Sequence, residues 1–175
     1  MSKTGLPGKR IHVADYGLPV DKCTALINVT SIKAHIQVGI AAVLKNYINF
    51  TSSPSSYHKG GSVNLGEAWH LPETKGKTRL IVVDALRPYF GPGPRPNPVH
   101  RWNYNGILVG TDPVAVETVC LSLIQEKRNL FKKESWPVSP PPVCIASADT
   151  KYKLGTSNPS KIKLIRLGWE KDRLV

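Results

Sequence analysis

Apolar residues along this chain gather into short runs, separated by polar stretches rich in proline and glycine. TALINV (24–29), RLIVVDAL (79–86), NGILVGT (105–111), PVCIAS (142–147) and KIKLIRL (161–167) each have the length of a strand. The first four are nearly continuous in apolar residues, as expected of strands covered on both faces of a parallel sheet. KIKLIRL alternates basic and apolar residues, which fits a half-exposed edge strand. Between them, the Ala-, Val-, Ile- and Leu-rich region from Gln37 to Ile48 predicts a helix. A second helix is predicted from Pro113 to Arg128, with Val116, Val119, Cys120 and Leu123 on one stripe and Glu117, Gln125 and Lys127 off it. Thr111 or Asp112 can cap that helix, and Pro113 suits its first turn because the missing N–H costs nothing there.

Strands alternating with helices predict an α/β architecture, here a mainly parallel sheet with helices on both faces. The expected organisation is a short N-terminal tail over 1–14 and one α/β domain over 15–175. Two long polar loops, 50–78 and 87–104, interrupt it, as does a proline-rich hinge, SWPVSPPP. Loops of this length in a compact domain are usually functional or mobile. There is no internal repeat.

Composition changes the picture in three places. At 175 residues the chain is long enough for one domain with a real core. No apolar run approaches the roughly eighteen residues of a membrane span. The opening MSKTGLPGKRIHVADYG is basic but has no apolar h-region, which predicts a cytoplasmic chain as it stands, and an exported parent protein if it is a piece of a longer one. The three cysteines, Cys23, Cys120 and Cys144, are scattered and show no C-x-x-C spacing, so they read as small buried thiols and no iron–sulfur cluster is expected on this chain. The Asn-x-Thr triplets at Asn28 and Asn49 matter only in a secreted eukaryotic protein and are set aside.

The net charge is +12, concentrated in KGKTR (75–79), EKRNLFKK (126–133), KYK (151–153) and KIKLIR (161–166). Such an excess attracts nucleic acid, anionic lipid or an acidic partner. Nucleic acid is disfavoured, because no recognition motif or aromatic-and-basic strand face is present and the basic clusters are expected to lack aromatic partners.

The ionisable residues at the ends of the apolar runs carry the candidate chemistry. Lys33 and His35 follow the first run, Asp84 ends the second and Asp112 follows the third, which predicts convergence outside the carboxyl ends of the strands. On an ideal helix His35 and Lys45 stand about 80° apart, and His58 in SSPSSYHKGG can fold over them. Two histidines with a lysine between them can bind a metal, shuttle protons or hold an anionic substrate. The bland alternative is a surface lysine, one capped histidine and one loop histidine. VVDALRPYFGPGP (82–94) offers a rigid loop where Gly91 and Gly93 let backbone approach a ligand. Its Asp84 is either an active acid or an acceptor for the loop's own N–H groups. Asp112 is an N-cap in its own right, and Glu117 lies about 140° further round the helix.

INVTSIKAHIQVGIAAVLKN, then His58, LIVVDALRPYFGPGP, GILVGTDPVAVETV and the closing ADTKYKLGTSNPSKIKLI together resemble the family called domain of unknown function 362. The resemblance covers residues 20–168. Glu117 stands where the family usually has Asp, the ferredoxin-like cysteine repeats and twin-arginine signal of many members are absent, and the strand and helix that usually come first are missing before about Asp15. The family's iron–sulfur associations imply a redox-linked or metal-dependent role, with either a redox partner or the missing N-terminal segment as partner. A more distant likeness is to nickel-pincer lactate racemases, whose histidine, cofactor-bearing lysine and second histidine would correspond to His35, Lys45 and His58. The resulting expectation is a site with His35, His58 and Asp84 as proton carriers or ligands. Lys33, Lys45, Asn46, Gly91 and Gly93 would contact a cofactor or anion, Asp112 and Glu117 would support them, and His35 and His58 are the pair a divalent metal would use. The competing expectations are a binding module using its basic surface, and a truncated inactive fragment.

Overall fold

The computed structural model describes residues 22–51, 53–93, 97–171 and 173–175. The short N-terminal tail expected over 1–14 lies outside the described residues. Four strands form one sheet: β1 (Leu26–His35), β2 (Gly39–Ala41), β3 (Thr78–Tyr89) and β4 (Gly106–Gly110). Their order is β2-β1-β3-β4. β1 and β3 run parallel, with Asn28 beside Ile81 and Ser31 beside Asp84, whereas β2 returns antiparallel to β1 and β4 antiparallel to β3. The fold is therefore α/β with a mixed sheet, and the expectation of a mainly parallel one is corrected. The reason lies in the connections: a two-strand hairpin follows β1, and the loop after β3 is too short of helix to make a parallel crossover.

Helices cover one face. α1 (Val43–Asn46), α2 (Pro113–Lys132) and α3 (Val143–Thr150) gather, with 3-10 turns at Tyr47–Phe50, Pro54–Ser62 and Leu65–His70, over the inward residues Ile32, Ile81, Val83 and Ala85. On the other face Ile27, Val29, Ile107 and Val109 are each about three-fifths exposed. Helices on both faces were expected because LINV, LIVV and ILV read as doubly covered strands. Among the described residues those outward positions are apolar without being covered.

Three further expectations are overturned. The helix predicted over 37–48 is instead the β1–β2 turn, strand β2 and a single helical turn. Gly39 adopts φ +82, and a side chain there would collide with the Pro140 carbonyl, so the chain reverses where a helix would have continued. PVCIAS belongs to helix α3, with Cys144, Ile145 and Ala148 buried at helical spacing; a short apolar run does not reveal its own period. KIKLIRL is no strand: a 3-10 turn at Pro159–Lys161 precedes irregular chain in which Ile165 and Leu167 are exposed.

The helix after β4 begins as expected. Asp112 Oδ1 accepts the N–H groups of Val114 (2.9 Å) and Ala115 (2.8 Å), and its Oδ2 accepts that of Thr156 (3.0 Å). One carboxylate thus caps α2 and ties down the C-terminal loop, where Gly155 leaves no room for a side chain against it. Asp112→Ala is expected to lower the free energy of unfolding by about 1–2 kcal/mol, with Asp112→Asn losing less. Denaturant titration checks this, and equal losses in the two variants would remove the capping role.

Candidate functional site

His35 is the last residue of β1 and Lys33 lies two before it. The hairpin through β2 then turns the chain back along β1, so that α1 lies against Asn28 to Thr30 and the Lys45 charge acts on His35. His58 arrives from the 3-10 segment Pro54–Ser62, which breaks at Lys59–Gly61, where Gly60 and Gly61 have positive φ. The imidazoles of His35 and His58 stack with ring centres 5.6 Å apart and planes 21° from parallel.

The turn that presents Lys45 is pegged at nearly every backbone group. Glu117 Oε2, from α2, accepts the N–H of Val43 (2.5 Å) and of Leu44 (2.9 Å). The Val43 carbonyl accepts from Asn28 Nδ2 (3.3 Å) and the Leu44 carbonyl from Trp69 Nε1 (3.1 Å). Thr30 Oγ1 donates to the Ala42 carbonyl (3.0 Å), while Asn46 Nδ2 donates to Asn28 Oδ1 (2.8 Å) and to the Val29 carbonyl (3.3 Å). Asn46 is thereby engaged in fixing α1 to β1.

These positions set the electrostatics. Burial, then the charges of Lys45, His58 and Lys33, lower the His35 pKa from its ordinary 6.5 to about 4. Burial followed by the Lys33 charge lowers that of Lys45. For His58, burial and Lys45 push down against hydrogen bonds to the Ser55 and Pro54 backbone, which pull up, and the net direction is down. Both histidines are therefore neutral at pH 7. His35 Nδ1 accepts the Gln37 N–H (3.2 Å), which leaves its proton on Nε2 as a donor.

The remaining candidates fall elsewhere. Asp84 is exposed and its Oδ1 accepts the Leu86 N–H (2.8 Å). It lies beside Ser31, four residues or about 13 Å of strand before His35. Asp112 stands at the opposite end of the sheet, because antiparallel β4 pairs Gly110 with Ile81. The expected convergence of residues from successive strand ends fails for Asp84 and Asp112; Lys33 and His35 share one strand, and Lys45 and His58 join them from other elements. In the loop after β3, Gly91 leaves space for the His100 ring, and Gly93 approaches Ile36, next to His35.

Glu117 is buried in spite of being placed off the apolar stripe. Burial raises its pKa from 4.5 to about 7 against the pull of the Leu44, Val43 and Ala42 N–H groups. Asn28 and Trp69 were missed by the sequence reading. A polar residue inside an apolar strand was the available signal for Asn28; for Trp69 there was none. The basic cluster 126–133 does have aromatic partners, since Lys127 lies over Phe90 and Trp102, and Arg128 and Lys132 lie over Trp136. The sequence-level reason for setting nucleic acid aside is corrected accordingly.

Fold and site together define an α/β protein with a mixed sheet and a lysine–histidine cluster at the end of its first described strand. The family profile described as Domain of unknown function (DUF362) matches residues 3–122, and the chain belongs to that family. No curated protein and no solved structure matches it, so the more distant likeness to lactate racemases has no comparison behind it. No helix among the described residues is long and apolar enough to cross a membrane.

Two groups make opposite contributions to stability with pH. His35 has a folded pKa below its unfolded one, so its contribution is complete above about 6.5 and is lost as pH falls toward about 4. Glu117 has a folded pKa above its unfolded one, so its contribution is complete below about 4.5 and is lost as pH rises through about 7. Against wild type, His35→Asn is expected to show a shallower loss of stability on acidification between pH 6.5 and 4. Glu117→Gln is expected to remove a decline on the order of 3 kcal/mol between pH 4.5 and 7. Melting curves across pH decide both; parallel profiles for wild type and variant would negate the corresponding assignment.

Proposed function

We propose that the cluster Lys33, His35, Lys45 and His58 binds a small oxyanion, a phosphate or carboxylate group, and can exchange a proton with the molecule carrying it. The supporting observation is the charge balance around the stacked histidines: two lysines act on them, and the groups that shift His35 include no carboxylate. Lys33 and Lys45 supply the charge, the His35 Nε2–H supplies a neutral donor, and the neutral His58 imidazole would take up the proton. The pegged turn holds Lys45 in place before any ligand arrives, which lowers the ordering cost of binding.

A divalent metal fits these residues less well. Among the described residues no group of three His, Cys, Asp or Glu side chains gathers to hold one. The tautomer set by Gln37 also puts a proton where His35 would need a lone pair, and two ammonium groups oppose a cation. A redox-linked role rests on the family resemblance and on none of the contacts described above. The binding-module reading, in which the basic surface alone attracts an anionic partner, is the competitor.

Isothermal titration with inorganic phosphate and with small carboxylates, at constant ionic strength in chloride, separates the two. Lys45→Met is expected to weaken binding by about tenfold or more, the worth of a charge-assisted hydrogen bond, with the melting temperature in phosphate-free buffer little changed. His58→Gln is expected to spare binding and to remove its pH dependence below neutrality. Undiminished affinity in Lys45→Met would leave the basic surface as the binder and sink the site.

A further inference from the structure

The C-terminal half of α2 builds a second cationic niche, separate from the Lys45 site. Arg128 is only 3% exposed. Its Nε donates to the Trp136 carbonyl (3.0 Å), and its guanidinium lies 4.0 Å from the centre of the Trp136 ring. The Lys132 ammonium stands 5.3 Å from the same ring. His100 packs with its ring 5.9 Å from Trp136 and 5.5 Å from Phe131. Phe90 lies beneath, 5.3 Å from His100 and 5.1 Å from Phe131. His100 Nδ1 is buried and has no hydrogen-bond partner.

A guanidinium this deeply buried ordinarily pairs with a carboxylate. Among the described residues the side-chain contacts of Arg128 are a carbonyl and an aromatic face. Its charged neighbours are of its own sign: burial, then Arg128 and Lys132, lower the His100 pKa. The acids nearest in sequence, Glu126 and Glu134, are exposed. Lys132 has a structural reason to be here, since it faces the negative end of α2. Arg128 has a weaker one. The loop it touches is already closed by Gln125 and Asn129, which bond the Trp136 carbonyl (2.9 Å), the Trp136 N–H (3.1 Å) and the Val138 N–H (3.1 Å). A neutral side chain would serve that loop as well and would avoid burying a charge.

We infer that Arg128 and Lys132 form a second oxyanion site, suited to a phosphate group and walled by Phe90, His100, Phe131 and Trp136. A guanidinium fork beside an ammonium matches the spread charge and several oxygens of phosphate. His100 turns its Nδ1 onto Gly91 and serves as wall, and Phe131, 42% exposed, offers a ring at the rim. The phosphate can be free or part of an ester whose organic portion lies against that ring.

The test uses the full chain carrying Lys45→Met, so that phosphate bound at the first site does not enter. Isothermal titration with inorganic phosphate and with adenosine monophosphate, at constant ionic strength, is followed in parallel by tryptophan fluorescence. Saturable binding is expected to persist in this background, with a fluorescence change. Adding Lys132→Met is expected to weaken it by about tenfold; the Lys132 side chain is exposed, so this variant should fold. Arg128→Lys should retain part of the affinity. Tighter binding of the nucleotide identifies a phosphate ester, and equal binding identifies free phosphate. No saturable binding in the Lys45→Met background, or binding indifferent to Lys132, overturns the second site while leaving the first untouched. Binding that wild type and Lys45→Met share equally, and that Lys132→Met removes, supports the second site and sinks the first.

Discussion

The buried carboxylate of Glu117 holds the molecule's functional end together. It accepts two backbone N–H groups from the turn before Lys45 and so joins α2 to the β1–β2 hairpin. Removing a carboxylate from water is costly, and the hydrogen bonds of three successive residues offset only part of the cost, as its pKa near 7 shows. Asn28 and Trp69 complete the arrangement by occupying the carbonyls of the same two residues. A single helical turn would not persist alone. Held from three directions, it presents Lys45 at a fixed place beside His35.

Charge then decides what that place can do. With lysines on two elements, both histidines stay neutral, and the Gln37 N–H held by its Nδ1 leaves His35 a donor at Nε2. The same logic recurs around Arg128, where aromatic faces take the place of carboxylates. The loop after β3 runs between the two regions, with Gly91 against His100 and Gly93 against Ile36. Among the described residues, part of the excess of +12 gathers around the stacked histidines and around Trp136, and the rest is spread over the surface.

The stretch DPVAVE shows how one motif divides its work. Asp112 and Glu117 are five residues apart and serve different ends of the structure. The first caps its own helix and secures the loop at Thr156, while the second caps the turn that carries Lys45. The sequence analysis treated both as supporting acids for a ligand. The structure gives them backbone N–H groups to hold, and in the proposed function the ligand-facing roles belong to Lys33, Lys45, His35 and His58.

The amino-acid sequence alone determined the α2 helix and its cap, the positions of β1, β3 and β4, the α/β class, and the grouping of His35, Lys45 and His58. Each of these depends on local signals: apolar runs, an Asp-Pro start, and ionisable residues at the ends of runs. Strand direction was not legible, because a run of apolar residues reads the same whichever way its neighbour points. That ambiguity misplaced Asp112 by the length of the sheet. Nor could PVCIAS be told from a strand, since its periodicity appears only when α3 packs Cys144 and Ala148 against the core. His35 and Lys45 were expected to meet on one helix and meet instead across a hairpin, where Gly39 allows a reversal beside Pro140. Only the tertiary structure decided the protonation of the site, because burial and neighbouring charge are properties of the assembled fold and no single residue carries them.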